Sequence, residues 1–384
     1  MINGRSFSHY WRIGSATAAN NTLNVTSVGI VGQMPGNYGI RFNWAIDGEL
    51  GATTTPVYTY TDNIINESIK YRMPVFITLT GGPAKNSATW KAYNNNTAWA
   101  STNRPPVGST PQAGVTLHGA IKTFKQNFIT HVESLYAAAG LDIAEYCTFM
   151  MFTEPGYGGS GGGSVVEAEG TWDDDFHVYM NSQVGIDYKG CLLMSPSFEC
   201  QGAFSAGPPT FAPSAANQGA SFTQELATAG NGAGTWQEDI GDNSNIWCID
   251  IYPEINGYAT KGLQVAIDEF EGKLGTVLQG LNAASWFLPY KSTAKFVIAE
   301  HGWNATTASC ASYYDLARYR MACEKACKKF NNVIGLAHYT LMDTTWGLYT
   351  DAGAITQGTR IFRPATPRTS AFTLQSGEVL FLGG

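Results

Sequence analysis

Apolar residues gather along the chain in eight short runs, separated by stretches in which polar positions are frequent. The runs lie at residues 9–15, 38–44, 74–80, 146–152, 191–197, 246–253, 296–300 and 333–343. A run of this length is typical of a strand that is buried on both faces. Between the runs, helices are predicted at residues 62–72, 119–139, 173–183 and 312–330. Asp62 is the expected N-cap of the first of these helices.

Strands that alternate with helices along one continuous chain favour a closed parallel barrel. We therefore predict the α/β fold class, as a single (β/α)8 barrel with long βα loops. The longest polar stretches, residues 81–117 and 198–219, are expected to be such loops. No break in composition divides the chain. We expect residues 1–365 to form the barrel and residues 366–384 to form a C-terminal hairpin or tail packed on it.

Two of the predicted strands end at a glutamate. The fourth run leads into Thr153-Glu154-Pro155-Gly156, and the seventh leads into Glu300-His301-Gly302-Trp303. Burial disfavours the charged form of a carboxyl group unless partners hold it. In a parallel barrel the C-terminal strand ends meet at one face, where catalytic groups lie. The sequence therefore predicts a pair of carboxylates at that face.

Composition and charge narrow the classes of partner and the cellular location. The 384 residues carry a net charge of -7 and no basic block, which argues against a nucleic-acid partner. No apolar run reaches the ~18 residues of a membrane span. Residues 1–20 lack the apolar core of a classical signal peptide. The 43 glycines, with abundant Asn, Thr and Ser, favour an extracellular or virion-associated protein, although an intracellular one stays open.

The spacing of Cys323 and Cys327 could suit a metal, but no second Cys or His pair accompanies it and the histidines show no metal-ligand spacing. We therefore expect no metal and no cofactor. Buried, inert thiols are expected for the cysteines in strand-like runs, Cys147, Cys191 and Cys248. A disulfide stays open among the others, Cys200, Cys310, Cys323 and Cys327.

The Gly-rich stretch 156–164 lacks the Lys-Ser/Thr ending of a phosphate loop, which argues against nucleotide binding. The Asp triplet 173–175 is expected to begin a helix, with calcium binding as the alternative.

The order of the runs and their ends resembles the clan A glycoside hydrolases over most of the chain, from about Tyr38 to Asp351. This resemblance implies an acid/base glutamate after strand four, Glu154, and a nucleophilic glutamate after strand seven, Glu300. In retaining hydrolysis an ionised carboxylate attacks the anomeric carbon while a protonated acid gives its proton to the leaving oxygen. The two carboxyl groups of such enzymes lie about 5–5.5 Å apart.

The resemblance also implies residues that bind the substrate or hold the nucleophile. Arg41 matches the clan's strand-two arginine, and Tyr252 matches a strand-six tyrosine that hydrogen-bonds the nucleophile. Thr153 departs from the family pattern, because the clan usually has Asn before the acid/base glutamate. His338 or Tyr339 replaces the usual strand-eight tryptophan. The predicted substrate-binding residues are Arg41, Asn43, Trp44, Thr153, Tyr252, Trp303, His338 and Trp346.

Simpler interpretations of the same residues stay open. Arg41 could form a salt bridge at the rim of the core, Tyr252 could be a packing residue, and Glu154 a solvated loop residue. The tryptophans are individually more often core residues than sugar platforms.

The sequence predicts a retaining, endo-acting glycoside hydrolase of a polysaccharide or oligosaccharide. The alternative, favoured by Thr153, is a barrel with little or no activity that serves as a carbohydrate-binding or structural protein on a virion or cell surface.

Overall fold

Eight strands form one closed barrel in the computed structural model, and neighbouring strands follow the order of the chain. The strands are β1 (Ser8–Arg12), β2 (Tyr38–Trp44), β3 (Val75–Leu79), β4 (Cys147–Met150), β5 (Leu192–Glu199), β6 (Ile246–Asp250), β7 (Lys295–His301) and β8 (Val333–His338). All eight neighbouring pairs are parallel, including the closing pair of β1 and β8. The predicted α/β parallel barrel is confirmed.

Helices connect the strands and cover the outside of the sheet. Those described are α1 (Asn21–Gly32), α2 (Thr59–Lys70), α3 (Leu117–Ala138), α4 (Ile143–Tyr146), α5 (Gly262–Ala283) and α6 (Tyr313–Cys327). The predicted helices at 62–72, 119–139 and 312–330 are confirmed within a few residues. The expected N-cap is wrong, because α2 begins at Thr59 and the Asp62 carboxylate instead contacts His131 Nε2 of α3 at 2.5 Å.

The structure describes part of the chain. The described residues are 7–34, 36, 38–44, 58–79, 117–150, 185–199, 246–252, 262–283, 288–303 and 313–341. The expected helix at 173–183, most of the two expected long loops and the expected C-terminal hairpin at 366–384 lie outside these ranges. In the described ranges, no helix has the length and apolar character needed to cross a membrane.

Alternate residues of the strands build two layers of core. The inward layer fills the barrel with the side chains of Tyr10, Phe76, Met150, Met194, Ile246, Cys248, Val297, Ala299, Ile334 and Ala337. The outward layer packs against the helices. Trp44 of β2, for example, stacks on Phe128 of α3 with ring centroids 4.0 Å apart. Since the barrel interior is packed, ligands can enter only at its ends.

The inward–outward alternation breaks at the C-terminal end of β7. Val297 and Ala299 belong to the inward layer, so strict alternation would turn Glu300 outward. The pairing of β7 with β8 instead shifts register between Ile298 and His301. As a result Glu300 contacts inward-facing arginines of β1 and β2, whereas His301 packs outward against Phe270 of α5. Such irregularities commonly re-aim a side chain beside a functional site.

The five described cysteines are buried and carry free thiols: Cys147, Cys191, Cys248, Cys323 and Cys327. The disulfide that the sequence left open therefore does not involve Cys323 or Cys327, while Cys200 and Cys310 lie outside the described residues. Over the same described ranges, no group of three or more His, Cys, Asp or Glu side chains is arranged to hold a metal ion.

Candidate active site

Glu300 lies at the C-terminal mouth of the barrel and receives three polar contacts, from Arg12 of β1, Arg41 of β2 and Tyr252, which follows β6. Its Oε1 atom is 2.8 Å from Nη1 of Arg41 and 3.3 Å from Nε of Arg12. Its Oε2 atom accepts a hydrogen bond of 2.7 Å from the Tyr252 hydroxyl. The side chain is almost fully buried, so these contacts replace most of the water that a free carboxylate would bind.

Arg41 joins three strands beneath the carboxylate. Its guanidinium is fully buried and lies over the Phe76 ring, 5.1 Å from the centroid. Nε donates to Thr78 Oγ1 of β3 at 3.1 Å, and Nη1 donates to the backbone oxygen of Ala299 on β7. The arginine therefore fixes the end of β7 as well as the carboxylate that β7 carries.

Arg12 approaches Glu300 from β1, where it is the register partner of Arg41. Its guanidinium covers the Tyr339 ring at 4.3 Å from the centroid. Its backbone oxygen accepts hydrogen bonds from Thr340 Oγ1 at 2.7 Å and from the Leu341 amide at 3.0 Å. Arg12 was not predicted from the sequence. The available signal is its place as the fourth residue of the first apolar run, which is also the place of Arg41 in the second run.

The charges around Glu300 determine its protonation state. Burial by itself would raise the pKa of Glu300, but Arg12, Arg41 and the Tyr252 hydroxyl together hold the pKa below its ordinary value. Burial also opposes the charge on Arg12, yet Glu300, Tyr339 and Tyr252 outweigh it and raise the pKa of Arg12. Glu300 is therefore an ionised carboxylate at neutral pH, which is the state that a nucleophile needs.

Tyr252 follows β6 and is held from two sides. Its ring meets Tyr339 edge-on, with centroids 5.8 Å apart. Its backbone oxygen accepts a 2.6 Å hydrogen bond from Nζ of Lys273, a buried residue of α5. The helix thus positions the hydroxyl that donates to Glu300, and Tyr252 is more than a packing residue.

Replacing Tyr252 by phenylalanine is expected to raise the pKa of Glu300, because a hydrogen bond to its ionised form is lost. The acidic limb of the pH profile of kcat/KM should therefore move to higher pH. Since hydrogen bonds to charged groups contribute about 1.5–3 kcal/mol, kcat/KM should also fall by about one to two decades. Kinetics measured between pH 4 and 8 test both effects. An unmoved acidic limb would show that the hydroxyl does not act on Glu300.

Three of the predicted substrate-binding residues lie between the sheet and the helices, away from Glu300. Trp44 stacks on Phe128, as described above. Trp303 is buried against Tyr319 of α6, with ring centroids 5.6 Å apart. His338 is buried against Trp11, with centroids 4.6 Å apart. The structure thus brings Arg41 and Tyr252 to Glu300 but leaves these three in the outer core.

Of the remaining predicted site residues, the structure describes only Asn43. Asn43 is two residues beyond the inward-facing Arg41 on β2, and it is paired in register with Thr78. It therefore belongs to the mouth of the barrel. Glu154, Thr153 and Trp346 lie outside the described residues. Asp250 was not predicted; it is fully buried at the end of β6, as the register partner of Glu300.

His301 and His338 form a buried pair behind the site. Nε2 of His301 lies 2.7 Å from Nδ1 of His338, so one ring donates a hydrogen bond and the other accepts it. Burial lowers the pKa of both rings, and for His301 the nearby Arg320 lowers it further. Arg320 also donates to the backbone oxygens of Tyr339 and Thr340, at 2.9 and 3.2 Å. Arg320, beside this neutral pair, therefore holds the segment that carries Tyr339.

The folded protein should lose stability as the pH falls below ~6.5, where histidines of the unfolded chain take up protons. Both buried rings stay neutral in the folded state, so the unfolded state binds more protons. Each ring contributes a slope of at most about 1.4 kcal/mol per pH unit. Urea unfolding of the wild type and of His338→Gln between pH 5 and 7 tests this. The variant should have the smaller slope, and equal slopes would contradict the prediction.

Comparison with known proteins shows a shared fold. No protein-family model matches the chain, and no curated protein has a significantly similar sequence. The CBM22-1 and GH10 modules of endo-1,4-β-D-xylanase 10B from Clostridium thermocellum, complexed with xylohexaose, match with a TM-score of 0.55 and 10% identity, over 94% of this chain and 66% of that one. Exo-β-1,4-mannosidase Op5Man5 from Opitutaceae bacterium strain TAV5 matches with a TM-score of 0.53 and 11% identity, over 93% of this chain and 58% of that one.

A third solved structure, ZgEngAGH5_4 in complex with a cellotriose, matches with a TM-score of 0.50 and 11% identity, over 93% of this chain and 95% of that one. The chain spans about three fifths to two thirds of the length of the first two proteins. At 10–11% identity these matches show that the barrel has the fold of glycoside hydrolases.

Proposed function

We propose that the protein is a retaining glycoside hydrolase of clan A that cleaves a polysaccharide or oligosaccharide. The observation that carries this proposal is the Glu300 carboxylate at the C-terminal mouth of the barrel, held by Arg41 and Tyr252. Catalytic groups of this fold lie at that face. The three similar structures are a xylanase, a mannosidase and a protein bound to cellotriose, which supports a carbohydrate substrate.

In the proposed mechanism, Glu300 attacks the anomeric carbon and Glu154 gives its proton to the departing glycosidic oxygen. The C–O bond to the leaving sugar breaks as an ester bond to Glu300 forms. Glu154, now ionised, then takes a proton from water, and the resulting hydroxide displaces Glu300 from the anomeric carbon. Two inversions at one carbon give net retention.

Arg41 and Tyr252 would act on both halves of this cycle. They hold the carboxylate in one orientation, which lowers the entropic cost of attack. When the ester forms, the negative charge that they stabilise disappears from Glu300. When the ester is hydrolysed, that charge returns, and both donors stabilise Glu300 as the leaving group.

The test is release of reducing ends from a panel of β-glucans, mannans, xylans, galactans and uronate-containing glycans. Proton NMR of the first product then gives its anomeric configuration, and the product sizes distinguish endo from exo action. We expect cleavage of one polymer class, with retention of configuration and a rapid fall in chain length. Inversion would exclude the double displacement. Binding of a glycan without cleavage would favour a carbohydrate-binding role.

Replacing Glu154 by glutamine should separate its role from that of Glu300. Without the acid, cleavage of a natural glycosidic bond should fall by about two to four decades. Cleavage of an aryl glycoside with an acidic phenol as leaving group should fall much less, because that oxygen leaves without a proton. Equal losses on both substrates would argue against Glu154 as the acid.

A further inference from the structure

Arg12 is a second cation on a carboxylate that Arg41 and Tyr252 already hold. Its Nε atom is 3.3 Å from Glu300, a looser contact than the 2.8 Å of Arg41. The Arg12 side chain is 19% exposed, whereas that of Arg41 is fully buried. Placing another charge in a largely buried site is costly and seldom a net gain in stability. Both arginines contact Glu300, and Arg12 is the one of the two that a ligand at the mouth can also reach, because its side chain is partly exposed.

The surroundings of Arg12 fix the plane of its guanidinium. The Tyr339 ring covers one face, and the hydrogen bonds from Thr340 and Leu341 fix its backbone. A planar guanidinium held in this way presents in-plane N–H donors, which match the two oxygens of a carboxylate. Little side-chain entropy remains to be lost when such an anion binds.

Asn43 provides a second, independent sign of a ligand on the same side of the mouth. It follows Arg41 as the next inward-facing residue of β2, and only 7% of its surface is exposed. Its Oδ1 atom is buried, and no residue within the described ranges donates a hydrogen bond to it. A buried amide oxygen is normally satisfied, and a sugar hydroxyl is a suitable donor.

We propose that the β1–β2 side of the mouth is a subsite for a uronic acid unit, whose carboxylate binds Arg12 and whose hydroxyl donates to Asn43. This inference rests on the proposed function and names its substrate class, an acidic polysaccharide.

A matched pair of substrates tests the subsite. A uronate-containing glycan and the same glycan with its carboxyl groups reduced to primary alcohols differ only in charge and one oxygen. The wild type should prefer the native polymer in kcat/KM. Arg12→Gln should lower that preference by about 10- to 100-fold, the effect of one charge-assisted contact. Arg12→Lys should restore part of it, and Arg318→Gln, at an exposed arginine of α6, should leave it unchanged.

Equal activity of the wild type on the two polymers would overturn the inference. So would a proportional loss on both polymers in Arg12→Gln, since Arg12 would then act only on Glu300. Calorimetric titration with D-glucuronate and D-glucose provides a readout without catalysis. If no polymer of the panel is cleaved, the hydrolase proposal fails, and the titration decides the subsite. Uronate binding that Arg12→Gln abolishes supports the subsite, and absence of selective uronate binding by the wild type overturns it.

Discussion

Replacing Glu300 by alanine is expected to abolish measurable hydrolysis, with a loss of about three or more decades in kcat. This corresponds to at least ~4 kcal/mol of transition-state stabilisation. The variant lacks the nucleophile, and Arg12, Arg41 and Tyr252 have no charge to stabilise. The loss should appear in kcat as well as in kcat/KM, and steady-state assays on the cleaved polymer measure both.

Loss of activity alone does not distinguish a nucleophile from a structural counter-ion of two arginines. Azide can enter the space left by the side chain and attack the anomeric carbon of an activated aryl glycoside. That attack forms a C–N bond, releases the phenolate and gives a glycosyl azide of inverted configuration. We expect azide to restore activity to Glu300→Ala but not to Glu300→Gln. Glu271→Gln, at an exposed ion pair with Lys329, is the matched control. Azide rescue of neither Glu300 variant would contradict the nucleophile assignment.

The strands were predictable because a strand that is covered on both faces needs an unbroken apolar run. β2, for example, has the predicted bounds of Tyr38–Trp44. Three helices, α1, α4 and α5, were not predicted. The buried face of α1 carries Asn24 and Ser27, and that of α5 carries Glu269 and Lys273. Polar residues on the buried face conceal the apolar stripe by which amphipathic helices are recognised.

The residues of the candidate site were likewise predictable only in part. Glu300 was predictable from its position at a strand end, and the family resemblance implied Arg41 and Tyr252. The contact between Arg12 and Glu300 was not predictable, because it depends on the break in alternation that turns Glu300 inward beside Ala299. Such a break follows from the pairing of two distant segments.

Alternation could have placed Trp44 correctly. If Arg41 faces the barrel interior, the residue three positions later must face outward. The ring of Trp44 therefore packs against Phe128 and not at the mouth, where a sugar contact was expected. His338 poses the same problem, since it too belongs to the outer layer, beside Trp11.

Replacing Arg41 by methionine is expected to destabilise the fold by about 3–5 kcal/mol, because Glu300 loses the closer of its two cationic partners while remaining buried. The hydrogen bonds to Thr78 and Ala299, which join β2 to β3 and β7, are lost as well. Methionine fills much of the same volume, so the effect reports charge and hydrogen bonding more than a cavity. Urea unfolding at neutral pH measures the change. Arg318→Met, on the exposed surface of α6, should change stability by less than about 0.5 kcal/mol.

The pH dependence of this penalty separates the ion pair from the other hydrogen bonds. The folded-state pKa of Glu300 is depressed, so the stability due to its ionisation is complete above the unfolded-state pKa of ~4.3. That contribution is lost as the pH falls through the lower, folded-state pKa. The difference in unfolding free energy between wild type and Arg41→Met should therefore narrow below about pH 4. A difference that stays constant into acid would assign the stabilisation to the hydrogen bonds with Thr78 and Ala299. It would also show that Arg41 does not hold Glu300 in its ionised form.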